Sequence, residues 1–152
     1  MQDGDAATLV IFGATGDLAR RKIFPALFSL HSDHQLDPRM MFVGMAMDEL
    51  DAKGFTRLVS EALHAANPYN RPEAVEAFLS RLSYLSSKAP GAYAQLAALL
   101  KKIEAKTKVL NQAYYCATPA SAFPSIVESL AGEGLLDPGL PGWRRAVAGA
   151  NR

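Results

Sequence analysis

Gly13-Ala14-Thr15-Gly16-Asp17-Leu18-Ala19 is the stretch of this chain whose residue types and spacing best suit chemistry. It follows an apolar run, Thr8 to Phe12, and opens an amphipathic segment, Leu18 to Leu30. Strand, glycine turn and helix in that order present a helix N-terminus whose first amides have no intrahelical partner. The helix dipole favours negative charge at the same spot, so the turn suits a phosphate or pyrophosphate. Gly13 and Gly16 let the backbone turn and let a ligand approach with no Cβ in the way. The Thr15 hydroxyl offers a further donor to a phosphate. Asp17, in the first turn, complements the dipole or caps the helix. The spacing Gly-x-x-Gly-x-x-Ala departs from G-x-G-x-x-G, and its context between strand and helix strengthens it. The plain alternative is a tight strand-to-helix turn with no ligand.

Other candidates lie at expected strand ends. Arg20 and Arg21 read as a solvated basic face. Lys22, six residues past Gly16, is placed to face the carboxyl edge of a sheet, where a lysine meets a phosphate or hydroxyl. The end of the second strand reads Gly44-Met-Ala-Met-Asp-Glu49 and holds no arginine. An acid there pairs with ribose hydroxyls and an arginine accepts a 2′-phosphate; the plain reading of Asp48-Glu49 is a helix start. Tyr114-Tyr115-Cys116-Ala117 runs into Thr118-Pro119, whose place beside a nucleotide crevice follows from the strand order. The tyrosines read as core and Cys116 as a small buried hydrophobe. His31, His34 and His64 have no metal spacing and belong to helix ends and surface, so no metal is expected.

The elements that must position these residues follow from periodicity. Strands are predicted at Thr8–Phe12, Met40–Gly44, Ser83–Ser86, Ala113–Ala117 and Trp143–Val147. Helices are predicted from about Asp17 to His31, from Lys53 to Ala66, from Pro72, from Ala92 to Lys106 and from Ala120 to Ala131. Pro25 removes a backbone bond inside the first helix, which predicts a kink or a late start. Gly132 to Gly142 is a loop. Alternating strands and helices give an α/β fold, a Rossmann-like doubly wound parallel sheet with helices on both faces. The chain has 152 residues, 49% hydrophobic and 20% charged, enough for one cored domain. A net charge of +1 makes no electrostatic case for nucleic acid or an anionic membrane. No apolar run nears the roughly twenty residues that span a bilayer. One cysteine and an acidic, short start without signal-peptide regions fit a cytoplasmic protein.

The stretch Val10-Ile-Phe-Gly-Ala-Thr-Gly-Asp-Leu-Ala-Arg-Arg-Lys-Ile-Phe-Pro-Ala-Leu27 resembles the coenzyme-binding signature of the glucose-6-phosphate dehydrogenases. Weaker similarity runs through Met41–Gly44, Phe55, Ser83–Leu85, Tyr114-Tyr115, Gly134-Leu135 and Gly142–Arg145. The resemblance implies NADP-dependent oxidation of glucose 6-phosphate to a lactone, in the pentose phosphate route. It implies that Gly13, Ala14, Thr15, Gly16, Asp17 and Leu18, with Met47 and Pro119, hold the dinucleotide, and that Lys22 touches coenzyme and substrate. The family's arginine for the 2′-phosphate falls on Met47, with Asp48 beside it, which opens the way to NAD. The family's Glu-Lys-Pro-Phe-Gly after Trp-Arg-Arg is replaced by Ala146 to Arg152. The expectation is therefore one NAD(P)-binding domain over residues 1–152, with its last strand incomplete and the substrate domain absent. The expected partners are a dinucleotide, glucose 6-phosphate only in a full-length context, and a second copy through the exposed edge near Val147. The alternative is a non-catalytic nucleotide-binding module or a truncated product without function. A short-chain reductase would want Tyr-x-x-x-Lys, and Tyr114 and Tyr115 are followed at that spacing by Thr118 and Pro119.

Overall fold

The computed structural model describes residues 6–148. Five strands form one parallel sheet: β1 (Ala7–Phe12), β2 (Phe42–Ala46), β3 (Leu82–Ser86), β4 (Asn111–Cys116) and β5 (Arg144–Ala148), in the order β3-β2-β1-β4-β5. The α-helices are α1 (Phe24–Ser32), α2 (Ala52–Ala66), α3 (Pro72–Leu79), α4 (Ala92–Thr107) and α5 (Phe123–Gly132). The central strands are apolar almost throughout because both faces of a parallel sheet are covered. Their side chains alternate between two cores. Ile11 and Phe42 join Phe24, Phe28, Phe55, Val59, Leu63 and Phe78 from α1, α2 and α3. Val10, Phe12, Val43, Met45, Tyr114 and Cys116 join Leu96, Leu100, Ile126 and Leu130 from α4 and α5. This is the expected doubly wound sheet with helices on both faces.

Several boundaries differ from the sequence reading, each for a local reason. The helix after the glycine turn starts at Asp17, widens to a π-helix over Ala19–Ile23 and becomes α1 only at Phe24. The Phe24 amide donates to Ala19 O, five residues back. Pro25 thus falls in the first turn of α1, where its missing N–H and its ring are tolerated. β2 begins two residues later than expected because the Met40 carbonyl is taken by the side chain of Arg81 at 2.9 Å. β4 begins two residues earlier, at polar residues outside the expected strand. Asn111 Nδ2 donates to Ala6 O at 3.0 Å, and Gln112 Oε1 accepts from Tyr114 OH at 2.6 Å. Asp48 and Glu49 do not start a helix. Asp51 caps α2, its carboxylate accepting from Gly54 N at 2.7 Å. The expected helix from Ala120 opens as a 3-10 turn, Ala120–Ala122, with Pro124 in the first turn of α5.

Two contacts hold the half of the sheet that carries the glycine turn. Gly44 lies under both Ala14 and Phe55, and a Cβ there would sit 2.6 Å from Phe55 Cζ and 2.9 Å from Ala14 Cβ. At the opposite end of β2, buried Arg81 donates to Met40 O and Asp37 O and meets His31 Nδ1 at 2.9 Å. The Asp37 carboxylate in turn accepts from Arg39 Nε at 3.0 Å and Nη2 at 2.9 Å. These bonds pull the Asp37 carboxyl down to about 2. Burial, then the Arg81 charge, lowers the His31 pKa.

Gly44→Val is expected to cost about 1–3 kcal/mol through overpacking, read as a lower urea midpoint; an unchanged midpoint contradicts this packing. The folded pKa of Asp37 lies below its unfolded value, so the unfolded chain binds more protons on acidification. Its stabilisation is present above the unfolded carboxyl pKa and lost as the pH falls from near 4 to about 2. Arg39 is over a third exposed, so screening limits this to about 1–2 kcal/mol. Asp37→Asn is expected to flatten the urea midpoint against pH across that window, and an unaltered slope contradicts the assignment.

Candidate functional site

The chain lays down β1, β2 and β3 in one direction, then crosses to the other side of β1 for β4 and β5. At such a reversal the loops leaving β1 and β4 diverge and open a crevice at the carboxyl ends of the strands. A cleft of about 480 Å³ lies there. Gly13, Thr15 and Gly16 line one wall, and Ala117, Thr118 and Pro119 line the other. Met47 and Asp48 close it on the β2 side, and Tyr93, Ser125 and Ile126 form part of its wall on the α4 and α5 side.

Gly13 adopts φ +74°, and a Cβ on it would stand 3.0 Å from the Ala117 carbonyl and from Thr118 Cγ2. The first glycine is thus required by the close approach of the β4 loop. Its amide and that of Ala14 both donate to Met45 O, at 2.8 and 3.2 Å, extending the sheet ladder. Neither amide is offered to a ligand. Gly16 N donates to Gly13 O at 3.0 Å, and Gly16 O accepts the first helical bond, from Arg20 N at 3.1 Å. The amides of Asp17, Leu18 and Ala19 precede that bond and are helix-terminal donors. Ala14 is fully buried beneath the turn.

The Thr15 hydroxyl, expected to face a phosphate, donates instead to Asp48 Oδ1 at 2.7 Å across 33 residues of sequence. Tyr84 OH donates to Asp48 O at 2.6 Å and to Ala46 O at 3.2 Å. Burial and then the Asp48 charge push the Tyr84 phenol up to about 12, so it stays a donor. Met47, in the same loop, is 64% exposed. On the far wall, Thr118 Oγ1 is buried with no hydrogen-bond partner among the described residues. A buried hydroxyl of this kind calls for a polar partner.

The structure gathers Gly13, Thr15, Gly16, Met47 and Pro119 around one cleft, with Ala14 below them. Asp17 and Lys22 lie outside its lining. Asp17 pairs with Arg21 Nε at 3.0 Å and Arg20 Nη2 at 3.9 Å on exposed surface. Arg20 and Arg21 border a separate cleft of about 690 Å³ against Arg57 and Glu61 of α2. Lys22 is exposed on the π-helical segment. Cys116 is 2% exposed, and burial pushes its thiol up to about 11, which makes it a packing residue. Tyr114 is fully buried. His31 packs on Phe28 and Phe78, and neither His34 nor His64 reaches the cleft. No group of three or more His, Cys, Asp or Glu among the described residues could hold a metal ion. No described helix is long and apolar enough to cross a membrane. Sequence reasoning missed the Asp48 contact and the orphaned Thr118 hydroxyl. Placing the end of β2 at Ala46 would have revealed the first, because Met47 and Asp48 are then the first residues off the strand.

Known proteins match this arrangement along its length. The model of the glucose-6-phosphate dehydrogenase NAD binding domain matches residues 10–148. A glucose-6-phosphate 1-dehydrogenase of Cyberlindnera jadinii is 34% identical over 131 residues, covering 84% of this chain and 26% of that protein. Glucose-6-phosphate 1-dehydrogenase 2 of Mycobacterium bovis is 34% identical over 148 residues, covering 91% of this chain and 28% of that protein. The crystal structure of the Mycobacterium avium glucose-6-phosphate 1-dehydrogenase superposes with a TM-score of 0.77 at 32% identity, over 94% of this chain and 29% of that one. A glucose-6-phosphate dehydrogenase solved with its substrate glucose 6-phosphate gives a TM-score of 0.78 at 29% identity, over 94% and 30%. The chain thus spans between a quarter and a third of the length of these relatives. The match runs from β1 to the last residue of β5, and by it this chain belongs to the family of glucose-6-phosphate dehydrogenase NAD binding domains.

Proposed function

We propose that the chain binds a nicotinamide dinucleotide in the cleft between the ends of β1 and β4, as the coenzyme-binding part of a glucose-6-phosphate dehydrogenase. The observation that carries this reading is the cleft itself. It sits at the reversal of strand order, between the glycine turn and Thr118, whose hydroxyl lacks a partner among the described residues. The group fits these residues. Asp17 and Leu18 would give their amides to the pyrophosphate at the helix N-terminus. Gly13, Ala14 and Gly16 keep the turn low enough for it. Thr118 would give its hydroxyl, and Met47 and Pro119 would flank the adenosine and nicotinamide halves. When bound, the coenzyme supplies an acceptor for the hydride from the sugar's C1. Lys22, exposed beside the turn, is proposed as the residue that reaches coenzyme and substrate together. NADP is the form the family resemblance implies, and NAD is the form that Met47 and Asp48 admit.

Oxidising the sugar also needs a base for its hydroxyl proton. No histidine or lysine lines the cleft among the described residues. That observation favours a second reading for the chain by itself, a dinucleotide-binding module without turnover. We place the base and the remaining sugar contacts in a substrate domain outside these residues. The edge strand β5 is proposed as a contact to that domain or to a second copy; Val147 on it is 51% exposed.

A saturating dinucleotide is expected to raise the melting temperature by several degrees, since a ligand at a hundredfold its Kd adds about 2.7 kcal/mol. No shift with either NAD or NADP contradicts the binding reading. The chain with glucose 6-phosphate and coenzyme is expected to form no reduced coenzyme at 340 nm; sustained formation contradicts the need for a further domain. Light scattering is expected to find self-association, and a clean monomer counts against an adhesive β5 edge.

A further inference from the structure

We infer that this chain selects its coenzyme at the adenosine ribose, preferring the 2′-hydroxyl form NAD to the 2′-phosphate form NADP, with Asp48 selecting and Thr15 positioning it. The inference rests on the dinucleotide reading above. Asp48 is the sole charged residue lining the cleft among the described residues, and it lies just past the end of β2. That is where a dinucleotide lying across such a sheet brings its ribose. A carboxylate there accepts from the 2′- and 3′-hydroxyls, whereas a 2′-phosphate brings a second negative charge beside it and wants a guanidinium. The neighbouring side chain is that of Met47, which carries no charge. Arg20 and Arg21, the arginines closest in sequence to the turn, pair with Asp17 and border the other cleft.

Asp48 is held from two sides. The Thr15 hydroxyl donates to Oδ1 at 2.7 Å, and the Tyr84 phenol holds the backbone carbonyl at 2.6 Å. Oδ1 is engaged and Oδ2 has no partner among the described residues, so Oδ2 is left to accept a ribose hydroxyl. The turn that seats the pyrophosphate therefore also aims the carboxylate that reads the ribose. Aiming of this kind reduces the ordering needed on binding. It also explains why a threonine hydroxyl in the glycine turn is directed away from the phosphate seat.

The test is calorimetric titration of the 152-residue chain with NAD and with NADP, folding being checked by circular dichroism. Wild type is expected to bind NAD at least tenfold more tightly. Asp48→Asn, at an exposed position, is expected to bring the two affinities within about threefold. Met47→Arg with Asp48→Ser is expected to reverse the preference. Thr15→Val is expected to weaken the discrimination and Thr15→Ser to restore it, a pattern that a merely structural Thr15 would not give. Tighter NADP binding by wild type, or an unchanged ratio in Asp48→Asn, overturns the inference and leaves the dinucleotide reading standing. Binding of neither coenzyme overturns both.

Discussion

The close approach of the β1 turn to the neighbouring strands is the constraint on which the rest of the structure depends. Gly13 and Ala14 give their amides to Met45 O on β2, and Gly13 packs against the Ala117 carbonyl on the β4 side. One residue thus joins the two halves of a sheet that the chain builds in opposite directions. A side chain at Gly13 would be strained by its φ of +74° and would push the β4 loop away. Gly44 plays the matching part beneath, letting Ala14 and Phe55 sit where a Cβ would otherwise be. Both faces of the sheet are then closed by helices, and the carboxyl edge between β1 and β4 is left open.

This geometry gives the glycine turn a division of labour. Its first residues complete the sheet, its threonine reaches the end of β2, and helix-terminal amides such as those of Asp17 and Leu18 are left for an anion. A turn that serves the fold and the ligand with different atoms tolerates little change in length, because a shift of one residue exchanges these roles. The π-helical turn after it follows from Pro25. Widening the helix over Ala19–Ile23 brings the proline into the first turn of α1, and it leaves Lys22 on an exposed stretch of wider helix.

The sheet and its two cores were legible because parallel strands covered on both faces must be apolar, and the runs Leu9 to Phe12 and Tyr114 to Cys116 are. Boundaries were less legible wherever a polar residue finds a partner far away in sequence. Asn111 and Gln112 fall outside the expected strand because nothing nearby announces the Ala6 carbonyl or the Tyr114 hydroxyl. Met40 read as strand because nothing nearby announces Arg81. The same limit applies at the cleft. Gly13 and Gly16 could be placed from local spacing, and Pro119 from the strand order. The contact between Thr15 and Asp48 could not, since it depends on the register that sets Phe12 against Met45.

Amide chemical-shift mapping of the isotopically labelled chain on adding NAD reports where the coenzyme sits. The largest changes are predicted at Gly13 to Leu18, Met47, Asp48 and Ala117 to Thr118, around the mouth of the cleft. Changes centred on Arg20, Arg21 and Arg57, or no changes at saturating coenzyme, would contradict that placement.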